Sequence, residues 1–373
     1  MRPAWLLLGV LLLDVRSAAA EETCTASGCH AALLAKPHVH PPAESCDSCH
    51  EAVSPQHPQK GQKTFKLTQP TAELCAACHD PVKKAHLHGP VSTGECTACH
   101  DPHASENARL LVRKDDALCE GCHADIAELR KKPHVHGALE GGCVSCHDPH
   151  GSDHPKLLAD EGAALCLTCH DTIGEKLAAP VVHPALKDPR ACVACHLPHA
   201  SDQPKLLAAP EKDTCLGCHK TIVTPAMTTL HGPIKDGACT PCHDPHGGPN
   251  PKLLVAGFRT TPYVPYAESE YALCFSCHKR DLLKYPDTSF ATGFRDGERN
   301  LHFVHVNDAR KGRNCTMCHA LHGSSQPKLI AVSVPFGSWS LPLKFAKTDT
   351  GGSCAPGCHA PRSYDRKSPV KKP

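Results

Sequence analysis

The apolar residues of this chain come in short groups rather than in long periodic segments. The first run, Ala4 to Leu13, is followed by Asp14 and Arg16, and later groups are as short as the Pro-Lys-Leu-Leu at 155–158. A stretch of alternating apolar residues lies at 333–345. This pattern predicts short helical turns joined by coil, with a small β element near the C-terminus.

The N-terminal run has the composition of a secretory signal peptide. Arg2 precedes the apolar residues, and Ala18 to Ala20 provide the small side chains of a cleavage site. A membrane anchor is the alternative, but the run is too short to span a bilayer, and no later segment is apolar enough. We therefore predict a signal peptide at 1–20 and a mature protein that is periplasmic, outer-membrane-associated or extracellular.

The cysteines determine what the rest of the chain can be. All 26 fall into thirteen pairs, and a histidine directly follows each pair. Eleven pairs have the spacing Cys-x-x-Cys-His, while the first has four intervening residues and the last has three. The spacing Cys-x-x-Cys-His is the attachment signature of a c-type haem, whose vinyl groups take up the two thiols.

We number these motifs 1 to 13 in chain order and predict that each holds one haem. The covalent attachment residues are Cys24 and Cys29, Cys46 and Cys49, Cys75 and Cys78, Cys96 and Cys99, Cys119 and Cys122, Cys143 and Cys146, Cys166 and Cys169, Cys192 and Cys195, Cys215 and Cys218, Cys239 and Cys242, Cys274 and Cys277, Cys315 and Cys318, and Cys354 and Cys358. The predicted proximal iron ligands are His30, His50, His79, His100, His123, His147, His170, His196, His219, His243, His278, His319 and His359.

Two other uses of paired cysteines are disulfides and zinc sites. A disulfide scaffold has no reason to place a histidine after every pair. Zinc sites combine two pairs, or a pair with two spaced histidines, and do not need a third residue at each pair. The regular histidine favours haem over both.

Composition supports a cofactor-filled interior. Aromatic residues make up only 4% of the chain and there are 35 prolines, so the polypeptide alone would bury little apolar surface. Thirteen haems would provide that core, and their propionates would make the protein acidic despite a formal charge of +2. We therefore expect lysines and arginines to pair with propionates, and we expect no nucleic-acid partner.

The motifs form an internal repeat. An odd-numbered motif is followed by one or two histidines near Gly or Pro, then by an even-numbered motif trailed by a second histidine, as in the His-Asp-Pro-His at 147–150, and then by a Pro-Lys-Leu-Leu-like connector. Six such repeats and a final single motif account for the chain. We predict a regular region at 21–254 with haems 1 to 10, and an elaborated C-terminal region at 255–373 with haems 11 to 13 and a basic, mobile tail.

The histidines outside the motifs are the predicted distal ligands. Seventeen of the 30 histidines remain after the proximal ligands are assigned. Twelve recur at fixed repeat positions: His40, His88, His136, His183, His231 and His305 before the even motifs, and His57, His103, His150, His199, His246 and His322 after them. A thirteenth comes from His38, His86, His134, His154 or His302. The doubled His-x-His segments and the pair His302 and His305 are the favoured sources, and His302 is the candidate carried forward.

A trailing histidine cannot reach the iron that its own motif holds. The proximal histidine occupies one face of the porphyrin, and the three-residue tether of His150 cannot pass around the ring edge. His150 and its equivalents should therefore ligate a different haem. Methionine is nearly absent, so bis-histidine ligation throughout predicts low potentials and no exchangeable coordination position.

The segments HGPVSTGECTACHDPHAS (88–105) and HGALEGGCVSCHDPHGS (136–152) closely resemble the multihaem c-type cytochromes with a doubled Cys-x-x-Cys-His motif. The resemblance covers residues 24–359. Within this family, the chain is similar to class III-like cytochromes, as in metal-respiring bacteria. It implies a fold of mostly coil with short α-helices wrapped around a haem chain and little or no β structure. It also implies electron transfer with bis-histidine haems. The sequence departs from the family pattern in two ways. The first repeat lacks the His-Asp-Pro-His tetrad, and the cysteines of motifs 1 and 13 are more widely spaced.

Together these observations predict an electron-transfer protein rather than an enzyme. Its partners would be an inner-membrane or periplasmic electron donor and, in a conduit, an outer-membrane porin and an extracellular cytochrome. A multihaem reductase of a small nitrogen or sulfur oxyanion is one alternative. A subunit of an extracellular cytochrome filament is another.

Overall fold

The computed structural model describes residues 24–25, 28–188 and 190–370, so the predicted signal peptide at 1–20 lies outside the described residues. The chain forms two compact units. Unit 1 holds the described residues up to Ala124 together with Gly142–Leu158, and unit 2 holds Asp125–Gly141 and the residues from Ala159 onward. The division at residue 254 separates regular from elaborated repeats and remains a prediction. Every helix in the described part of the chain falls short of what a bilayer crossing requires.

The α-helices are short, and half of them lead into odd-numbered motifs. In the described ranges they are α1 (Thr71–Ala76), α2 (Gly89–Ser92), α3 (Asp116–Glu120), α4 (Ala124–Leu129), α5 (Gly162–Leu167), α6 (Asp171–Leu177), α7 (Glu211–Leu216), α8 (Gly232–Lys235), α9 (Ala272–Phe275) and α10 (Leu301–Val306). Helices α1, α3, α5, α7 and α9 each contain the first cysteine of an odd motif. They are rich in Ala, Leu and Glu, which favour helix formation. Helices of this length are not stable alone, so tertiary contacts must hold them.

Five of the six even-numbered motifs, and five connectors, form single 3₁₀ turns instead. The turns at even motifs are Cys46–Ser48, Cys96–Ala98, Cys143–Ser145, Ala191–Ala194 and Cys315–Met317. Those at the connectors are Ala108–Leu110, Pro155–Leu157, Pro204–Leu206, Pro251–Leu253 and Pro327–Leu329, and further ones are Ala31–Leu34, Pro41–Glu44, Gly137–Gly141, Pro184–Lys187, Glu268–Tyr271 and Arg280–Leu283. A glycine in the left-handed region, such as Gly142 with φ 84°, ends the preceding segment close to the motif and leaves no room for a helix.

The strands are mostly two residues long. They are β1 (His38–Val39), β2 (His50–Ala52), β3 (Phe65–Leu67), β4 (His86–Leu87), β5 (Ala104–Ser105), β6 (His134–Val135), β7 (Gly151–Ser152), β8 (Val181–Val182), β9 (Ala200–Ser201), β10 (Thr229–Leu230), β11 (Gly247–Gly248), β12 (Arg295–Asp296), β13 (Arg299–Asn300), β14 (Gly323–Ser324), β15 (Ser333–Phe336), β16 (Trp339–Pro342), β17 (Ala346–Lys347), β18 (Gly351–Cys354) and β19 (Arg362–Asp365). The predicted fold class, mostly coil with short helices and little β structure, is confirmed.

Five antiparallel strand pairs join one repeat to the next. They are β1 with β5, β4 with β7, β6 with β9, β8 with β11, and β10 with β14. In each pair the first strand lies just before a histidine that precedes an even motif. The second lies just after the trailing histidine of the following repeat. We call these pairs the junction strands, and they bring histidines of neighbouring repeats together.

A protein core is concentrated in the elaborated C-terminal region. Among the described residues before 255, the buried apolar side chains are three alanines, Ala104, Ala191 and Ala200. In the region from residue 255 onward, one buried cluster is formed by Tyr271, Leu283 and Val306. Met317, Ala331, Val334 and Leu343 form another. The regular repeats therefore depend on something other than side-chain packing for their interior.

The C-terminus is more ordered than expected. The predicted β element is present as the hairpin of β15 and β16, and β17, β18 and β19 form a three-stranded antiparallel sheet. The prediction of a mobile C-terminal tail was wrong for residues 362–365. Arg362–Asp365 is strand β19, and the carboxylate of Asp365 accepts bonds from the amides of Lys367 and Ser368.

Candidate functional site

Each two-residue-gap motif folds so that its three reactive side chains share one turn. In motif 3 the amides of Cys78 and His79 donate to the carbonyl of Cys75 at 3.2 and 2.9 Å. In motif 4 the amide of His100 donates to Cys96 in the same way at 3.1 Å. The bond from the motif histidine to the first cysteine recurs in motifs 3 to 12 at 2.9 to 3.1 Å. Such a turn gathers two thiols and an imidazole within the span of one porphyrin.

The predicted proximal and distal histidines face each other in pairs. The ring pairs are His30 with His57, His40 with His79, His50 with His103, His88 with His123, His100 with His150, His136 with His170, His183 with His219, His196 with His246, His231 with His278, His243 with His322, and His302 with His319. Their ring centroids lie 5.8 to 6.4 Å apart. Every pair joins one motif histidine to one of the predicted distal residues.

This spacing fits an iron between the rings. An imidazole nitrogen lies about 2 Å from a metal that it ligates, so two imidazoles on opposite sides of one metal place their ring centroids roughly 6 Å apart. The rings are also nearly parallel in most pairs, with interplanar angles from 3° to 25° outside the His183–His219 pair. That pair is crossed at 66°.

Two distal positions lie in the elaborated region on helix α10. Burial and then the nearby His319 and His305 lower the pKa of His302 to about 3, so its ring is neutral and able to ligate a metal. His305 is also buried, and burial is the main cause that lowers its pKa, with Arg313 and His359 contributing. His359 of motif 13 is thus the motif histidine near His305. The roles of His147 as a proximal ligand and His199 as a distal ligand remain predictions.

The four histidines that were possible alternatives to His302 are placed differently. His38, His86 and His134 lie in junction strands opposite Ser105, Ser152 and Ser201. His154 lies just after strand β7, and its amide donates to the hydroxyl of Ser152. Among the described residues none of the four belongs to a histidine ring pair, so the selection of His302 remains the assignment that the geometry favours.

The connectors orient the proximal histidines of the even motifs. Nδ1 of His147 donates to the carbonyl of Lys156 at 2.9 Å, and Nδ1 of His243 donates to Lys252 at the same distance. The equivalent bonds link His100 to Arg109, His196 to Lys205, and His319 to Lys328. Because Nδ1 carries the hydrogen, Nε2 is left as the ligating nitrogen.

This role of the connector was not predicted, because a backbone atom performs it. The carbonyl is exposed to the ring because two consecutive residues are left-handed, with φ 60° at Lys156 and 58° at Leu157. Such angles are uncommon for residues other than glycine. The buried hydroxyl of Ser152 donates to the carbonyl of Leu158 and fixes the turn. The recurring Pro-Lys-Leu-Leu of the connectors is the sequence signal that could have indicated this role.

The aspartate of the His-Asp-Pro-His tetrad positions the trailing histidine. Oδ1 of Asp148 accepts a bond from the amide of His150 at 2.9 Å, and Asp101 does the same for His103. Burial raises the pKa of Asp101, but bonds from the amides of His103 and Ala104 and from Lys36 hold it below its ordinary value. The charged carboxylate therefore stabilises the turn that presents the distal ring.

The thiols show which motifs are neighbours. Burial and then an adjacent Cys24 thiol raise the pKa of Cys46. Burial, an Asp116 contact and then Cys119 raise the pKa of Cys143 to about 12. Such contacts between the first cysteines of an odd and an even motif recur for Cys75 with Cys96, Cys215 with Cys239, and Cys274 with Cys315. In these five repeats, the two attachment sites meet at their thiol edges.

Neighbouring repeats meet through the second cysteine of an even motif. Burial and then the Cys119 thiol raise the pKa of Cys99, and burial and then Cys218 raise that of Cys195. The same holds for Cys242 beside Cys277 and for Cys318 beside Cys354. Within each compact unit, motifs that adjoin in the chain thus adjoin in space wherever these contacts are described.

Comparison with known protein families agrees with this arrangement. The family model described as the doubled CXXCH motif matches four times, at residues 88–128, 136–175, 183–224 and 231–282. Each matched segment begins at a predicted distal histidine and contains an even motif followed by an odd one, so motifs 4 to 11 are covered. A search of curated proteins finds no significant match. The chain belongs to the multihaem c-type cytochromes with doubled Cys-x-x-Cys-His motifs, which bind haem covalently and transfer electrons.

Proposed function

We propose that this cytochrome is an electron conduit with thirteen covalently attached, low-potential, bis-histidine haems. The observation that carries the proposal is the pairing of histidine rings at the spacing of a shared iron. The haem supplies a one-electron couple of ferric and ferrous iron. The chain supplies two thiols, a proximal imidazole and a distal imidazole for each.

The direction of the pairing supports a connected series of sites. His40 of repeat 1 faces His79 of repeat 2, while His103 of repeat 2 faces His50 of repeat 1. Adjoining repeats therefore exchange distal ligands in both directions. Such an exchange holds successive sites at short distance, which electron transfer along a chain requires.

The first and last repeats support the proposal that a single chain provides the iron ligands of its own terminal haems. In repeat 1 the trailing His57 faces His30 of the same repeat. In repeat 6 His302 faces His319 of the same repeat, and His305 lies near His359 of the final motif. A second copy of the chain is not needed to provide these ligands, which favours the conduit over a filament that shares ligands between subunits.

Occupation of both axial positions also favours conduction over catalysis. A reductase of a nitrogen or sulfur oxyanion needs an iron with an exchangeable position for its substrate. In the described ring pairs a second imidazole would occupy that position. We therefore propose that the protein is not an enzyme and that its partners are redox proteins, with an extracytoplasmic donor upstream and an acceptor at or beyond the outer membrane.

Haem content and ferric spectra of the full-length holoprotein test this proposal. We expect thirteen haems per chain and low-spin bis-histidine signals for the ferric protein, with reduction complete only at low potential. A substantial high-spin fraction, or turnover with nitrite, hydroxylamine or tetrathionate added to the reduced protein, would contradict it. Loss of axial ligands on dilution would instead indicate the filament subunit.

A further inference from the structure

His57 differs from the other paired distal histidines in how it is held. It is exposed and lies in the segment between strands β2 and β3 of its own repeat. Among the described residues its backbone takes part in no hydrogen bond. By contrast, the amide of His40 donates to His103 at 2.8 Å and the amide of His88 donates to His150 at 3.1 Å, both across a junction.

Two side chains hold the ring of His57 in place. Nδ1 lies 2.5 Å from the hydroxyl oxygen of the buried Thr64, and the ring stands edge-on to Phe65 with centroids 5.0 Å apart. The ring faces His30 at 5.8 Å. Among the described residues, one side-chain hydrogen bond and one contact with an aromatic ring therefore hold this predicted distal ligand, in an exposed segment.

The elaborated region offers a matched case in which the same bond is made by a histidine on a packed helix. Nδ1 of His302 lies 2.8 Å from the hydroxyl oxygen of Thr292, and its ring also stands edge-on to a phenylalanine, Phe294, at 5.1 Å. His302, however, lies in helix α10, which begins beside the fully buried Asn300 and packs through Val306 into an apolar cluster. Release of His302 would require that this packing be disrupted.

Segments with few buried contacts and few backbone hydrogen bonds open locally at low cost in free energy. We propose that His57 leaves the iron held by His30 and that this one site admits a small uncharged ligand of ferrous haem, of the size of carbon monoxide. The inference rests on the proposed bis-histidine function and goes beyond it. In the exchange, the bond from Nε2 of His57 to iron breaks and the lone pair of the incoming ligand takes its place, with no change in oxidation state.

Carbon monoxide binding to the reduced, full-length holoprotein tests the proposal. We expect one carbon monoxide per chain. His57→Ala should still bind one, and its ferric form should gain a single high-spin haem. A wild-type protein that binds none, or a His57→Ala protein that binds one more than the wild type, would overturn the assignment.

Two threonine variants separate exchange at His57 from general loosening. Thr64→Val keeps the side-chain shape but removes the hydroxyl beside His57, and we expect carbon monoxide to bind several-fold faster with an unchanged stoichiometry of one. Thr292→Val makes the same change beside His302, and we expect neither the rate nor the stoichiometry to change. Equal acceleration by both variants would contradict a special role for His57. Haem content and low-spin ferric signals, measured first, show separately whether the proposed function holds.

Discussion

The backbone amide of His40 donates a hydrogen bond to the carbonyl of His103 at 2.8 Å, although the two rings face different motif histidines. His40 faces His79 and His103 faces His50. The same backbone bond recurs from His88 to His150, His136 to His199, His183 to His246, and His231 to His322. Where both ring pairs are described, a junction therefore joins the predicted distal ligand of an even-numbered site to that of the next odd-numbered site.

The series consequently alternates between two kinds of step. Within a repeat, an odd and an even site meet at their thiols, as Cys75 and Cys96 do. Between repeats, an even and an odd site are joined by the backbone of their distal ligands. Changes at a junction should disturb two sites together, while changes in a connector should disturb one.

Two histidines at junction strand β4, His86 and His88, provide a matched test of distal ligation. His88 faces His123, whereas His86, two residues earlier, faces Ser152 across the strand pair. We expect His88→Ala to convert one haem to the high-spin ferric state, because its iron loses an imidazole. His86→Ala should leave the low-spin spectrum unchanged. Electron paramagnetic resonance with spin counting measures both, and a high-spin haem in the His86 variant would contradict the assignment.

The connector turn should contribute measurably to stability. Ser201 is 1% exposed, its hydroxyl lies 2.5 Å from the carbonyl of Leu207, and it accepts a bond from the amide of Gln203. Ser201→Ala removes both bonds and should lower the free energy of unfolding by about 1–3 kcal/mol. Ser340→Ala, which removes an exposed hydroxyl on β16, should cost less than about 0.5 kcal/mol. Denaturant unfolding followed by haem absorbance measures the difference, and equal effects would contradict it.

The sequence reveals the attachment motifs directly because side-chain identity carries that chemistry. A pair of thiols and a following histidine specify a haem wherever the backbone places them, so all thirteen motifs are visible without a fold. The sequence also indicates that His150 must serve a different iron. Which iron it serves depends on the junction strands, and the partner His100 follows from the pairing of β4 with β7.

Other parts of the site depend on atoms that residue types do not reveal. The carbonyl of Lys156 accepts the Nδ1 hydrogen of His147 because Lys156 and Leu157 are left-handed, and neither residue type favours that conformation. The length of the strands in the C-terminal sheet could likewise not be predicted from the sequence. Gly351 and Gly352 allow β18 to lie close to Tyr364, an approach that the composition of the tail does not indicate.

Glu211 should make the stability of repeat 5 dependent on pH. Its Oε1 accepts bonds from the amides of Cys239 and Thr240 at 2.6 and 2.8 Å, which ties helix α7 to motif 10. Burial raises the pKa of Glu211, but the two amides and the Thr240 hydroxyl outweigh it and hold the pKa below its usual value. Because the folded pKa is lowered, this stabilisation is present above the unfolded pKa of about 4.3 and is lost as the pH falls through the folded value.

Comparison with Glu211→Gln measures this contribution. We expect the wild type to have the larger free energy of unfolding at neutral pH and the difference to shrink below about pH 4, where the carboxylate becomes protonated. Glu268→Gln is the control, since Glu268 makes an exposed ion pair with Arg280 and should show little difference at either pH. A difference for Glu211→Gln that stays constant down to the acid range would exclude the carboxylate as its source.

The crossed rings of His183 and His219 should give one haem a distinct ferric spectrum. Their planes are 66° apart, while those of His231 and His278 are 3° apart. Parallel imidazole planes split the two iron d orbitals that overlap with the ring π systems, whereas crossed planes leave them nearly equal in energy. We therefore expect one low-spin signal of much larger g anisotropy among the thirteen haems. His183→Ala should abolish that signal and produce one high-spin haem. His231→Ala should also produce one high-spin haem but should leave the anisotropic signal intact, and its loss in both variants would contradict the assignment.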